Sequence, residues 1–396
     1  MHAQGAWEKR FEPLVAAFQQ NFAEGYEIGA AVCVYYRGEK VVDIWAGLKN
    51  RTNSQPWTED TLVPVFSVTK ALTSLCFLIL AQRGKFDYEK PVAYYWRDFA
   101  MAGKKEITCR QLLEHRAGLY AIDAPLELSD FRDNYVKVYR ALILQKPLFV
   151  PGSSQAYGAQ VWGAYAGELF RQVAQETVGQ FFAREVARRL GAKAFIGLPP
   201  EQDQQVATLY PVSAFERITA LLPDLLFGNT TEGRVARAFL AGDRSIERAY
   251  MNPSLGHRAL QLFNETWVHR LELPWANAIS NARALAGIMN VLALGGRLGK
   301  IRFANAALLQ QLMKPNPLRH DLVLQKRLGW NLGFLKEEPE LFSPHSGSFG
   351  HSGMGGSLLW VDPASRLSFA YVCNKMDYKI RPDKTLRLCH ALYDCI

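Results

Sequence analysis

Phe66-Ser67-Val68-Thr69-Lys70 runs directly into eleven residues, 71–81, that carry no charge. A serine and a lysine three apart on a helix lie on one face. A serine nucleophile needs that placement if an amine is to accept its proton. Pro64 cannot continue a helix or a ladder from upstream, and Gly84 after Gln82-Arg83 reads as a C-terminal stop. The expectation is therefore a buried helix with Ser67 in its first turn and Lys70 half-buried behind it. The spacing alone is a weak signal, because roughly one Ser-x-x-Lys is expected by chance in a chain this long. The bland reading of such a serine is a helix cap.

Working outward, 396 residues exceed what one simple core holds, so two lobes, or one domain with a large insertion, is the starting expectation. There are 46 Lys plus Arg against 37 Asp plus Glu, a net charge of +9. The charges are scattered and no run of five like charges occurs, which points to a soluble basic surface and away from nucleic acid. The first 25 residues mix Glu8, Lys9, Arg10 and Glu12 with apolar side chains, which argues against a secretion signal in this sequence. The apolar run 71–81 is too short to span a bilayer. A cytoplasmic protein is expected. Six cysteines show neither Cys-x-x-Cys spacing nor a zinc-type histidine cluster, so free thiols, no metal and no cofactor are expected.

The helical period of Phe11, Leu14, Val15, Phe18 and Phe22 predicts a helix over 7–22. Segments 30–36 and 40–46, joined by Arg37-Gly38-Glu39, read as a hairpin. From 88 to about 273 helical patterns dominate, at 110–115, 135–144, 160–175, 178–190 and 234–241, with sparse strand signals. Strands return at 357–361 and 367–373 around Asp362-Pro363-Ala364-Ser365, and 384–393 closes as a helix. Strands at both ends with a helical middle predict an α/β (α+β) chain with one sheet built from both termini. The expected division is a discontinuous sheet domain, 1–87 and 274–396, and a mainly helical insertion, 88–273.

A serine nucleophile also needs a base, an orienting group and donors for the oxyanion. Two further segments can complete the set. Pro151-Gly152-Ser153-Ser154-Gln155-Ala156-Tyr157 leads a tyrosine to a helix start. Phe349-Gly350-His351-Ser352-Gly353-Met354-Gly355-Gly356-Ser357 is dense in glycine and runs into an apolar strand, which allows close backbone approach to a ligand.

Ser67-x-x-Lys70, Leu112-Leu113-Glu114-His115-Arg116-Ala117-Gly118-Leu119, Pro151-Gly152 leading to Tyr157, and Phe349-Gly350-His351-Ser352-Gly353 together resemble the serine β-lactamase and penicillin-binding-protein family, on the class C side. More closely the set is similar to β-lactamase-like carboxylesterases, the family VIII esterases. Segments 87–96 and 276–286 also look like parts of this family, and the likeness runs from about 28 to 375. The resemblance implies an antiparallel sheet flanked by helices. It also implies that Ser67 is acylated, Lys70 is its partner and Tyr157 shares the base work. His351-Ser352-Gly353 stands where true β-lactamases have Lys-Thr-Gly, facing substrate, and the backbone N–H groups of Ser67 and Met354 would form the oxyanion hole.

Physical chemistry leaves the base open between two groups. A free lysine holds its proton too tightly by about 4 kcal/mol to act near neutrality; burial and a helix N-terminus weaken that hold. Tyrosine has the opposite problem, because desolvation disfavours the phenolate. Two departures from the lactamase pattern bear on substrate. Tyr157-Gly158-Ala159 lacks the asparagine of Tyr-x-Asn, and His351 replaces the lysine of Lys-Thr-Gly, so recognition of an anionic lactam is weakened. A small neutral ester is the expected partner, with acyl transfer or weak β-lactamase or D-amino-acid peptidase activity as alternatives at the same site. A non-catalytic assembly scaffold is the alternative from another class. Tyr120, Tyr135, Phe149 and Phe227 are expected to wall an apolar pocket. His115 is expected to be structural, bonding loop backbone near Gly118. A nucleophile elbow at Gly350-His351-Ser352-Gly353-Met354 fails, because Met354 stands where glycine is required.

Overall fold

A computed structural model describes residues 1–226, 228, 230–242, 244–315, 317–336 and 341–396, with backbone alone at 214, 215, 226, 244 and 245. Phe227 lies outside the described residues.

The helix after Ser67 spans Val68–Gln82, and its residues 68 through 80 are all buried. A helix apolar on every side has to be enclosed. Strands of the main sheet cover one side, and the helices Trp162–Ala174 and Val178–Phe182 cover the other. On the helical side Phe77 meets Phe86 and Phe170, ring centroids 4.9 and 5.2 Å apart. Gly84 takes φ 68° just beyond the helix end, where a left-handed residue closes the last turn.

The main sheet is antiparallel, in the order Gln4–Trp7, Glu39–Asn50, Gly29–Tyr36, Leu367–Cys373, Leu358–Asp362, Phe349–Ser352, Phe334–Lys336, Arg327–Asn331, Arg319–His320, with Gln55–Pro56 paired to the second. The seam between the two chain ends is the pairing of Tyr36 with Leu367 through Ala30 with Cys373. Both faces are buried, and alternation sorts the side chains. Ala31, Cys33, Ala370 and Val372 join the core that holds the Ser67 helix. Val32, Val34, Phe369 and Tyr371 join a second core with Leu14, Phe18, Leu388 and Leu392. A one-residue slip would exchange the two sets, which fixes the register. Helix Ala282–Ala293 lies on the first face, and helices Glu12–Ala23 and Asp383–Tyr393 pack together on the second.

Both expected hairpins are present, as is the helix at the end. Trp7 departs from expectation: it closes the edge strand Gln4–Trp7, paired with Val42, and the helix begins only at Glu12. Pro13 at the second helical position explains the late start, since proline fits the first turn of a helix. The 178–190 helix contains a π turn at Ala183–Ala187. Helix Cys109–Leu113 is closed at its start by reciprocal bonds between Thr108 and Gln111 and stops short of His115. Phe349–Ser352 is itself a strand, and Ala194–Ile196, Ala278–Ser280 and Val63–Pro64 form a second small sheet. Strands of two to four residues are too short to show a period. This second sheet matters because it sets Val63–Pro64 three residues before Ser67. Among the described residues no helix is long and apolar enough to cross a membrane. The six cysteines are buried free thiols.

Candidate active site

The turn into the Ser67 helix is strained and braced. Phe66 is buried with φ 47°, a left-handed conformation that costs a bulky residue about 1–3 kcal/mol. Val65 N–H donates to Ala278 O at 2.9 Å, Thr69 Oγ1 donates to Phe66 O at 2.5 Å, and Ala278 N–H donates to Thr69 Oγ1 at 2.9 Å. The small sheet thus holds the turn from both sides. Ser67 makes no side-chain capping bond. Its Oγ instead accepts from the Tyr157 hydroxyl at 2.8 Å and from Lys70 Nζ at 3.3 Å.

Lys70 is fully buried, not half-buried as its position suggested. Nζ also donates to the carbonyls of Ala159, 2.9 Å, and Trp275, 3.3 Å, and lies 4.8 Å from the centre of the Tyr157 ring. Its hydrogen-bond partners among the described residues are two carbonyls and the Ser67 hydroxyl, and burial pushes its pKa well below the ordinary lysine value. Burial drives the Tyr157 hydroxyl the other way, upward, against the opposing pull of the Ser67 bond and the Arg381 charge. Burial thus favours the uncharged form of both groups: the phenol keeps its proton, and the amine gives its proton up more readily than a free lysine.

Tyr157 is placed by groups far away in sequence. Its N–H donates to Asp321 Oδ1 at 3.0 Å. Asp321 is fully buried and also accepts from the N–H groups of Val323 and Leu324. The Tyr157 ring stacks on Trp330, centroids 5.7 Å apart and planes 7° apart. His351 lies 6.1 Å from the Tyr157 ring. It is buried, its Nδ1 donates to Ser352 O at 2.6 Å, and burial and the Lys70 charge lower its pKa well below the usual histidine value. His351 is thus neutral, as its place in the sequence suggested. Arg381 donates to Ser352 Oγ at 3.0 Å, which puts at the edge of the site a positive charge that sequence reading did not count.

Met354 is exposed, in the turn between strands Phe349–Ser352 and Leu358–Asp362. Among the described residues neither its N–H nor that of Ser67 donates to a protein acceptor. Gly353 brings this turn against the Ser67 turn: a Cβ there would lie 2.3 Å from Val65 O. Gly353→Ala is accordingly expected to push the two turns apart, lowering ester turnover by at least about tenfold, as initial rates would show.

Of the aromatic residues expected to wall a pocket, Tyr120 and Phe149 stack on one another, 6.1 Å apart, within the cluster that holds Tyr157. Tyr135 is tied elsewhere, donating to Glu168 Oε2 at 2.7 Å. His115 does not bond the loop at Gly118. Its Nδ1 accepts from Gly158 N–H at 3.0 Å, because the left-handed turn at His115, φ 58°, sets its ring against Tyr157, Trp162 and Trp330. Asp321, Trp330, Trp275 and Arg381 went unnoticed in the sequence. Trp275 carried one local sign, its place just ahead of the 276–286 segment.

Sheet, enclosed helix and serine together are those of the β-lactamase and transpeptidase fold. The sequence pattern described as Beta-lactamase matches residues 14–391. The chain belongs to the β-lactamase family and is a serine hydrolase of that fold. It is 32% identical over 379 residues to Esterase/beta-lactamase LipL of Mycobacterium tuberculosis (strain ATCC 25618 / H37Rv), covering 94% of this chain and 83% of that one. Among solved structures, a family VIII carboxylesterase superposes with a TM-score of 0.86 at 34% identity, over the whole of both chains. A penicillin-binding protein homolog from Caulobacter crescentus superposes at 0.87 with 31% identity, again over both whole chains.

Proposed function

We propose that this enzyme is a carboxylesterase that cleaves small neutral esters through an acyl-enzyme on Ser67. The observation that carries the reading is the contact of Ser67 Oγ with both a buried lysine amine and a protonated tyrosine hydroxyl. With Lys70 deprotonated, its Nζ keeps two N–H groups for the carbonyls of Ala159 and Trp275 and turns its lone pair to Ser67 Oγ, which attacks the ester carbonyl carbon as its proton passes to that amine. The N–H groups of Ser67 and Met354 receive the developing oxyanion. As the C–O bond to the leaving alcohol breaks, Tyr157 supplies the proton and regains one from Lys70. Water then hydrolyses acyl-Ser67 by the reverse sequence of proton transfers. The substrate-facing groups would be His351, Ser352 and Gly353.

Neutral esters are favoured because His351 is uncharged and Tyr157-Gly158-Ala159 offers no amide side chain. The names of the two relatives called an esterase and a carboxylesterase support the same choice. One observation favours a second reading: the Arg381 guanidinium on Ser352 would suit a substrate carboxylate, as in a β-lactam or a D-amino-acid peptide. Transfer of the acyl group to an alcohol or amine would use the same acyl-Ser67. The placement of every strand of the main sheet outside 88–273 supports the proposed division into 1–87 with 274–396 and 88–273.

A panel of p-nitrophenyl esters of increasing chain length, run beside nitrocefin and with an added alcohol, tests the reading. Short neutral esters are expected to turn over at least about tenfold faster than nitrocefin. Nitrocefin turnover equal to the best ester would overturn the neutral-ester assignment in favour of the lactam reading. Product partition toward the added alcohol would assign acyl transfer.

A further inference from the structure

Three consecutive backbone amides carry the Tyr157 hydroxyl to Ser67, and each has a protein acceptor. Ala156 N–H donates to His115 O at 3.0 Å, Tyr157 N–H to Asp321 Oδ1 at 3.0 Å, and Gly158 N–H to His115 Nδ1 at 3.0 Å. His115 therefore grips the chain on both sides of Tyr157. Its own backbone is left-handed, and its ring is enclosed, 5.0 Å from that of Tyr157 and 4.2 Å from that of Trp330. A bulky residue stays in such a conformation only where its surroundings over-determine it.

An imidazole nitrogen that accepts a hydrogen bond carries no proton. With Nδ1 on the Gly158 amide, His115 must be the neutral Nε2–H tautomer. Among the described residues its buried Nε2 has no partner. The titratable groups facing the ring are Lys70 from its helix, Tyr157 from its loop and His351 from its strand; Glu114 and Arg116 adjoin it in the chain. Burial first, and then repulsion from the protonated forms of Lys70 and His351, holds His115 well below the ordinary histidine pKa.

We infer that His115 is a positioning residue for Tyr157, an acceptor whose Nδ1 fixes the Gly158 amide and with it the reach of the Tyr157 hydroxyl to Ser67. A proton on Nδ1 would release Gly158 and set a positive charge in the enclosed space beside Lys70. The inference rests on the reading of Ser67 as the acylated group. His115 itself touches no reacting atom.

Two substitutions separate this role from simple packing. His115→Asn places an amide oxygen near the position of Nδ1, whereas His115→Gln reaches toward Nε2. Labelling rates with a fluorophosphonate probe are measured on both and on wild type, with melting temperatures recorded alongside. H115Q is expected to label about 10–100-fold more slowly than wild type, and H115N to recover to within about fivefold, at closely similar melting temperatures. Equal rates for all three, or equal loss in both variants at unchanged melting temperature, would overturn the inference. Should either variant fail to fold, imidazole ¹⁵N spectra of the wild-type protein decide. They are expected to show His115 as the Nε2–H tautomer with no titration between about pH 5.5 and 8; an Nδ1–H tautomer, or titration near about 6.5, would overturn it. A wild-type chain that takes no label at all overturns the Ser67 reading itself, which keeps the two failures distinct.

Discussion

Ser67→Ala is expected to lower ester turnover by about 10⁴-fold or more while leaving the fold intact. The two halves of that expectation come from the same geometry. Ser67 Oγ accepts only from Tyr157 and Lys70 among the described residues and caps nothing, so its loss removes the reacting atom and little of the packing. The melting temperature is expected to stay within about 2 °C of wild type. A large fall in stability at retained activity would show the opposite, a structural serine beside a catalytic centre elsewhere. Steady-state rates on p-nitrophenyl acetate and a thermal melt suffice to read both.

Lys70→Met is the second large effect, a loss of about 10²–10⁴-fold in turnover. Methionine keeps the buried length of the side chain and removes the amine. The same substitution exposes a signature in stability. In the unfolded chain Lys70 titrates near about 10.4, and in the fold burial lowers its pKa well below that. Between the two values the unfolded chain binds more protons than the folded one, so the contribution of Lys70 to stability rises with pH across that window and falls away as pH drops toward the folded value. Melts of wild type and K70M across the alkaline range are expected to show wild type gaining on the variant as pH rises. A difference that does not change with pH would mean that Lys70 is charged in the folded protein, and Tyr157 would then have to serve as the base.

Legibility from sequence followed the length scale of each feature. Ser67 and Lys70 could be paired because a helix fixes their geometry over three residues, and the uncharged run behind them announced burial. The two hairpins showed through because their strands alternate between two apolar cores. Helix Tyr135–Leu144 coincided with its apolar period. Features set by distant partners did not show. The acceptor for the Gly158 amide is 43 residues away, and the carboxylate that holds the Tyr157 amide is 164 residues away. No local pattern at His115 or Asp321 encodes those meetings. Tyr157 stands out as a tyrosine led by a loop to a helix start, but its share in the base work comes only from the family likeness. The small sheet behind Ser67 was hidden for a different reason: it is assembled from strands of two and three residues contributed by three parts of the chain.

The substitution at His351 shows how a change of residue type can be read correctly in charge and still be incomplete. Histidine there is neutral, as its ordinary pKa and its burial both require. The positive charge near the site comes instead from Arg381, thirty residues on, through Ser352. Arg381→Ala is expected to leave short neutral esters within about threefold of wild type and to slow nitrocefin more. Equal loss on both substrates would mean that the guanidinium supports the 349–352 strand and reads no substrate charge.

Every other proposed role at this site depends on acylation of Ser67. Its most direct test is peptide mapping of the wild-type protein after reaction with a fluorophosphonate, which forms a stable bond to an activated serine and releases fluoride. A single adduct is expected on the peptide containing Ser67, in stoichiometric amount and abolished by prior heat denaturation. No adduct, or an adduct on any other residue, would contradict it.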